Sequence, residues 1–175
     1  MDIRNKRKKF RVKAGDFFAI PLSDGEFTFA RKLEGVGVAF YDGKNKDLLN
    51  IDEIEKLPVM FKIYINLIPV KTGDWPKLGY KPLSEELKKP VKFFKIGPFN
   101  KSITIYWETS DKEYDVPATY EECKDLEVCA VYGYEHVLER LEDHYAGKEY
   151  SFVRESREEL KAARDALLKE KKDEN

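Results

Sequence analysis

Alternation of apolar and polar positions is sharpest over residues 59–67. There Val59, Phe61, Ile63, Ile65 and Leu67 alternate with Met60, Lys62, Tyr64 and Asn66, and a period of two puts one set of side chains on a single face of a strand. Upstream, the apolar run Gly15-Asp16-Phe17-Phe18-Ala19-Ile20-Pro21-Leu22 reads as a buried strand, ended by Ser23-Asp24-Gly25. Asp-Gly between apolar runs signals a hairpin, because glycine tolerates positive φ. The return strand runs from Glu26 to Leu33, with Phe27 and Phe29 on one face. A third follows over Val36 to Tyr41, closed by Asp42-Gly43. Three short strands joined by tight turns form a meander, the way small barrels begin. Asn50, three residues before Glu53, makes a capping box for a short helix through Leu57 that Pro58 stops.

Residues 69–100 hold five of the eight prolines and three glycines, so they read mostly as loop, with one helical turn at Ser84-Glu85-Glu86-Leu87. Ser102 to Trp107 is a further strand, with Ile103, Ile105 and Trp107 on one side. The period then changes. Thr119 and Glu122 cap a second short helix, and Glu127 to Tyr132 fits either a strand or part of a helix. Tyr134 to Ala146 is an amphipathic helix with Val137, Leu138, Leu141 and Tyr145 inward and Gly147 as its stop. Ser156 to Lys172 is another, exposed and thinly apolar, with Leu160, Ala163, Leu167 and Leu168 on its stripe. Strands first and helices last predict an α+β fold: a strongly bent antiparallel sheet or SH3-like β-barrel, with helices mostly in the C-terminal third. The expected division is a basic arm over 1–13, one β-rich domain over 14–150 and a charged helix or tail over 151–175.

The chain's 175 residues suit one domain with a tail. Its 37% charged residues exceed the usual fraction of about 25% and demand a heavily charged surface. No apolar run approaches the roughly 20 residues that cross a membrane, and no apolar stretch follows the basic start in the manner of a secretory signal. Two cysteines cannot build a disulfide framework, so a reducing, cytoplasmic setting is expected. The net charge of −1 hides a gradient: residues 1–13 carry seven basic groups and one acidic group, and residues 108–150 carry four basic and thirteen acidic groups. The first block, at +6, suits phosphate or a solubilising role. The second, at −9, repels nucleic acid and attracts basic proteins.

The residues offer little catalytic chemistry. His136 and His144 lie on one predicted helix, about 80° and about 12 Å apart by helix geometry, too far to share a metal. Cys123 and Cys129 form no Cys-x-x-Cys pair, and no phosphate loop or nucleophile elbow is present. Neither an enzymatic activity, a metal nor a cofactor is expected. The segment Trp75-Pro76-Lys77-Leu78-Gly79-Tyr80-Lys81-Pro82 offers a rigid aromatic patch. Its tryptophan is either an exposed interface anchor or a cap on the core.

Taken together, the opening Gly15–Leu22 strand with Asp24-Gly25, Trp75 with Leu78-Gly79, Leu83 to Lys89 leading into Phe93-Phe94, the block Ala118 to Glu127, and Glu135 to Leu141 resemble the immunity protein 26 family. The likeness spans roughly residues 10–150, leaving out the basic arm and the final helix. Tyr132 departs from it mildly, standing where tryptophan is common. The resemblance implies a cytoplasmic protein of bacterial polymorphic-toxin systems that binds a cognate toxin domain and blocks it without catalysis. With the acidic block, it implies a toxin with a basic surface, such as a nuclease. The contacts expected are Glu108, Asp111, Glu113 and Asp115, in the loop after the Trp107 strand, with Trp75 and Tyr80 as aromatic anchors. The alternative is a nucleic-acid-binding barrel using the Arg4–Lys13 arm, which the −9 block disfavours.

Overall fold

A computed structural model describes residues 11–173, so most of the basic arm lies outside the described residues. Contacts divide the described residues into two compact units, one running to residue 89 and including 131–135, and one of residues 90–130 with those from 136 onward.

The first unit is a six-stranded sheet. Its strands are β1 (Asp16–Pro21), β2 (Phe27–Lys32), β3 (Gly37–Asn45), β4 (Val59–Ile65), β5 (Lys77–Tyr80) and β10 (Val131–Tyr132), in the order β10-β4-β3-β2-β1-β5. Every pairing is antiparallel except β10 with β4. The sheet has two ends, and no closed barrel is found among the described residues. Short helices α1 (Ile51–Ile54) and α2 (Ile68–Thr72) join its strands, and α3 (Glu85–Lys88) follows β5. The Asn50–Glu53 capping box forms as expected.

Both faces of the central strands are covered, which explains why β1 reads as a continuous apolar run rather than an alternation. On one face Phe17, Ala19, Phe29 and Tyr41 enclose Ile54 of α1. On the other, Phe18, Ala30, Phe40 and Phe61 stand in register across four strands, with Phe40 stacked on Phe61 and meeting the Trp75 edge. Arg31 belongs to the first of these faces and is fully buried. Its guanidinium lies 4.4 Å over the Phe17 ring and donates to Glu55 Oε1 at 3.0 Å and to the carbonyls of Lys81 and Pro82 at 3.1 and 2.8 Å. Nε alone has no hydrogen bond. Lys32 is buried next to it, and its ammonium donates to the carbonyls of Leu33, Gly35 and Gly37.

Two glycines act through close approach. A Cβ on Gly15, at φ +95°, would meet the Lys81 carbonyl oxygen at 2.2 Å. One on Gly43 would strike Leu57 at 2.3 Å. That contact explains why β3 continues through Asp42-Gly43, where the sequence pattern predicted its end: the glycine admits Leu57 rather than turning the chain.

The second unit has a four-stranded sheet of β6 (Phe93–Ile96), β7 (Ile103–Glu108), β8 (Glu113–Pro117) and β9 (Glu127–Val128), ordered β8-β7-β6-β9. It also contains α4 (Tyr120–Cys123), most of α5 (Tyr134–Tyr145) and α6 (Ser151–Asp173). The architecture is therefore mixed α+β with the longer helices C-terminal. Phe94, Ile103, Cys123, Leu160 and Ala163 form its core. Helix α6 starts five residues before the predicted Ser156 and packs through Leu160 and Ala163, while Leu168 is exposed. Arg140 of α5 forms a bidentate pair with Glu127 of β9, at 3.1 and 2.6 Å.

Removing the buried guanidinium leaves the Lys81 and Pro82 carbonyls without its donors and Glu55 held by Lys81 alone. Arg31→Met is therefore expected to cost about 3 kcal/mol, and Glu55→Gln about 1 kcal/mol because water reaches that end of the pair. Urea unfolding of the two variants checks this ordering.

Candidate functional site

The acidic candidates sit on the β7–β8 hairpin. Thr109 N–H donates to the Lys112 carbonyl at 2.9 Å, and Lys112 N–H returns to the Thr109 hydroxyl. Only Asp111 is in this turn. Glu108 ends β7, and Glu113 and Asp115 lie within β8, so three of the four residues expected in a loop stand on strands. The strand was hidden because Glu-Tyr-Asp-Val-Pro is exposed along nearly its whole length and carries no apolar alternation.

Register assigns the faces. Glu108 pairs with Glu113, Tyr106 with Asp115, and Tyr106 also with Phe93 of β6. Strand side chains alternate, so Tyr106, Glu108, Glu113 and Asp115 share one face with Lys95. Lys95 Nζ lies 3.0 Å from Asp115 Oδ2 and 3.6 Å above the Tyr106 ring centroid. The Thr104 hydroxyl, and after it Lys95, hold the Asp115 carboxyl below its ordinary value. Burial, then the charges of Glu113 and Glu108, push the Tyr106 phenol up to about 12. Carboxylates placed directly across a strand pair repel each other, so Glu108 and Glu113 cost stability where they stand.

The opposite face of the hairpin is an aromatic clamp. Trp107 and Tyr114 stack 4.6 Å apart at 6°, with Lys92 over Trp107 and Lys112 over Tyr114. The hairpin thus presents its carboxylates from a braced backbone. The sequence pattern identified β7 but not its partner strand, so the contributions of Tyr106 and Lys95 were not legible.

Trp75 and Tyr80 belong to the first unit. Trp75 is only 3% exposed, so of its two expected roles the structure gives it the core. Its indole walls a cavity of about 230 Å³ together with Phe18, Val70, Asp16 and Arg11. Asp16 is fully buried there: Oδ2 accepts from Lys13 N–H, and Oδ1 lies 2.7 Å from Lys77 Nζ in an ion pair that lacks hydrogen-bond alignment. Tyr80, on β5, is 43% exposed, with the Lys13 ammonium 3.6 Å from its ring centroid.

His136 and His144 are exposed on α5. Cys123 is buried and Cys129 half-buried; both thiols are free and are raised chiefly by burial. Among the described residues no group of three His, Cys, Asp or Glu side chains converges on a metal position, and no helix is long and apolar enough to cross a membrane.

The chain matches the model of the family Immunity protein 26 over residues 13–102, half of its length, and belongs to that family. The matched stretch ends where β7 begins, so the acidic hairpin follows directly after it. No curated protein and no solved structure matches the chain.

The raised phenol is directly measurable. In an ultraviolet difference titration of the protein against Tyr106→Phe, one tyrosine is expected to ionise near 12, and Glu108→Gln with Glu113→Gln should lower that value. Because the neutral phenol is the favoured form when folded, its contribution to stability is complete below the ordinary tyrosine range and is lost as pH rises through the raised value.

Proposed function

We propose, from membership of the Immunity protein 26 family as the premise, that the chain neutralises a cognate protein toxin by one-to-one binding that occludes the toxin's active surface. The observation that supports a particular site is the hairpin face with Glu108, Glu113 and Asp115 set against one lysine, Lys95. Asp111 adds a fourth carboxylate at the turn. Such a face complements a basic surface, and charge complementarity both speeds encounter and fixes orientation. A nuclease has a basic surface where it holds phosphates, so a nuclease toxin is the kind of target we read here. Occlusion asks for a rigid, correctly charged surface and for no chemistry, which fits a binding protein rather than an enzyme acting in the cytoplasm. Tyr80, an exposed aromatic of the first unit, serves in this reading as an anchor on that unit. Trp75 contributes by shaping the cavity wall behind β5.

The test is a titration of the full chain against a candidate cognate toxin domain. A complex of equal stoichiometry is expected, with affinity falling as salt rises. Glu108→Gln, Glu113→Gln and Asp115→Asn combined should weaken it by about tenfold or more, and the Glu108→Gln, Glu113→Gln pair alone should leave thermal stability unchanged or improved, since these two carboxylates repel each other. Affinity independent of both salt and these carboxylates would refute the acidic-face reading. Absence of any complex would refute the toxin reading itself.

A further inference from the structure

The hairpin also carries a row of main-chain hydrogen-bonding groups that pair with nothing among the described residues. β8 is the terminal strand of its sheet, and the phase of its ladder can be read from both ends. Thr109 N–H donates to Lys112 O at the turn, and Ala118 N–H donates to Ile103 O at the far end. Antiparallel ladders alternate bonded and non-bonded pairs. Counting inward from either end makes Trp107–Tyr114 and Ile105–Val116 the bonded pairs and leaves Glu113, Asp115 and Pro117 with their main-chain groups turned outward. Pro117 has no N–H to give, so the open donors are Glu113 and Asp115. Their residues, like Val116 and Pro117, are exposed. The two residues with outward main-chain donors are therefore the two whose side chains build the acidic face of β8.

We propose that this outer edge of β8 receives a short extended segment of the toxin as an added strand, with lysine or arginine at alternate positions of that segment lying beside Glu113 and Asp115. Added strands take their affinity from main-chain bonds and their selectivity from alternate side chains, and here both determinants fall on the same two residues. Exposed sheet edges are commonly guarded by charge and proline against unwanted pairing. The like-charged Glu108–Glu113 pair does this against most strands and is relieved by a basic one, so the same residues that exclude other strands select this partner. The inference rests on the toxin-binding reading above.

Proline separates the main-chain contribution from the charge. Asp115→Pro removes an outward N–H that β7 does not use, a position where edge strands accept proline; Asp115→Asn removes the charge and keeps the N–H. Titrated with the same candidate toxin domain, Asp115→Pro should bind about tenfold or more weakly at both low and high salt. Asp115→Asn should lose affinity mainly at low salt. Equal affinities for the two variants would overturn the added strand while leaving the toxin reading intact. Failure of the unaltered chain to bind would strike the toxin reading instead. Should Asp115→Pro fold poorly, amide exchange on the unaltered protein decides: Glu113 and Asp115 N–H slowed by the toxin supports the added strand, and unchanged exchange overturns it. The same slowing in the chain alone at high concentration would show edge-to-edge pairing of two copies and would overturn it too.

Discussion

The first unit is organised around a cation that no water reaches. Arg31 sits on the inner face of β2, and a guanidinium there is tolerable only if its surroundings answer its charge and its donors. The Phe17 ring supplies a flat, negative surface, Glu55 at the end of α1 a carboxylate, and the carbonyls of Lys81 and Pro82 two further acceptors. These partners come from β1, from the end of α1 and from the segment after β5, so satisfying one side chain fixes where three distant parts of the chain must lie. Hydrophobic burial alone would accept many placements of α1 over Phe17, Phe29 and Tyr41; the geometry of a planar fork accepts few. Gly15 belongs to the same constraint, because the Lys81 backbone that serves Arg31 passes where a Cβ on residue 15 would stand.

Much of this unit was legible in the sequence, and the reasons are local. The β1–β2 hairpin announces itself by Asp24-Gly25 between apolar runs, β4 by its alternation, and α1 by the Asn50–Glu53 pair that caps it. The order of strands before long helices gave the mixed architecture. β5 and β6 were not legible: both are four residues long and lie in a stretch rich in proline, where local punctuation argues for loop and only pairing with a distant strand argues otherwise. Pairing partners are tertiary information. Arg31 was invisible for the same reason, since nothing beside it in sequence marks an arginine as buried.

The candidate site was legible in composition before it was legible in shape. The charge block located the acidic residues, and the structure arranged them: register brings Glu108, Glu113 and Asp115 to one face, and Tyr106 and Lys95 complete it. Trp75 went the other way, because an aromatic beside proline reads equally well as an anchor or as core, and packing against Phe40 decides it. The family match covers the meander and ends before the hairpin.

Inhibition kinetics distinguish the proposed occlusion from other modes of neutralisation. A toxin domain captured by the chain would be assayed with increasing amounts of this protein at several substrate concentrations. Occlusion of the active surface predicts complete inhibition at equal stoichiometry that is competitive with substrate. Inhibition that no amount of substrate relieves, or a complex that remains fully active, would contradict it.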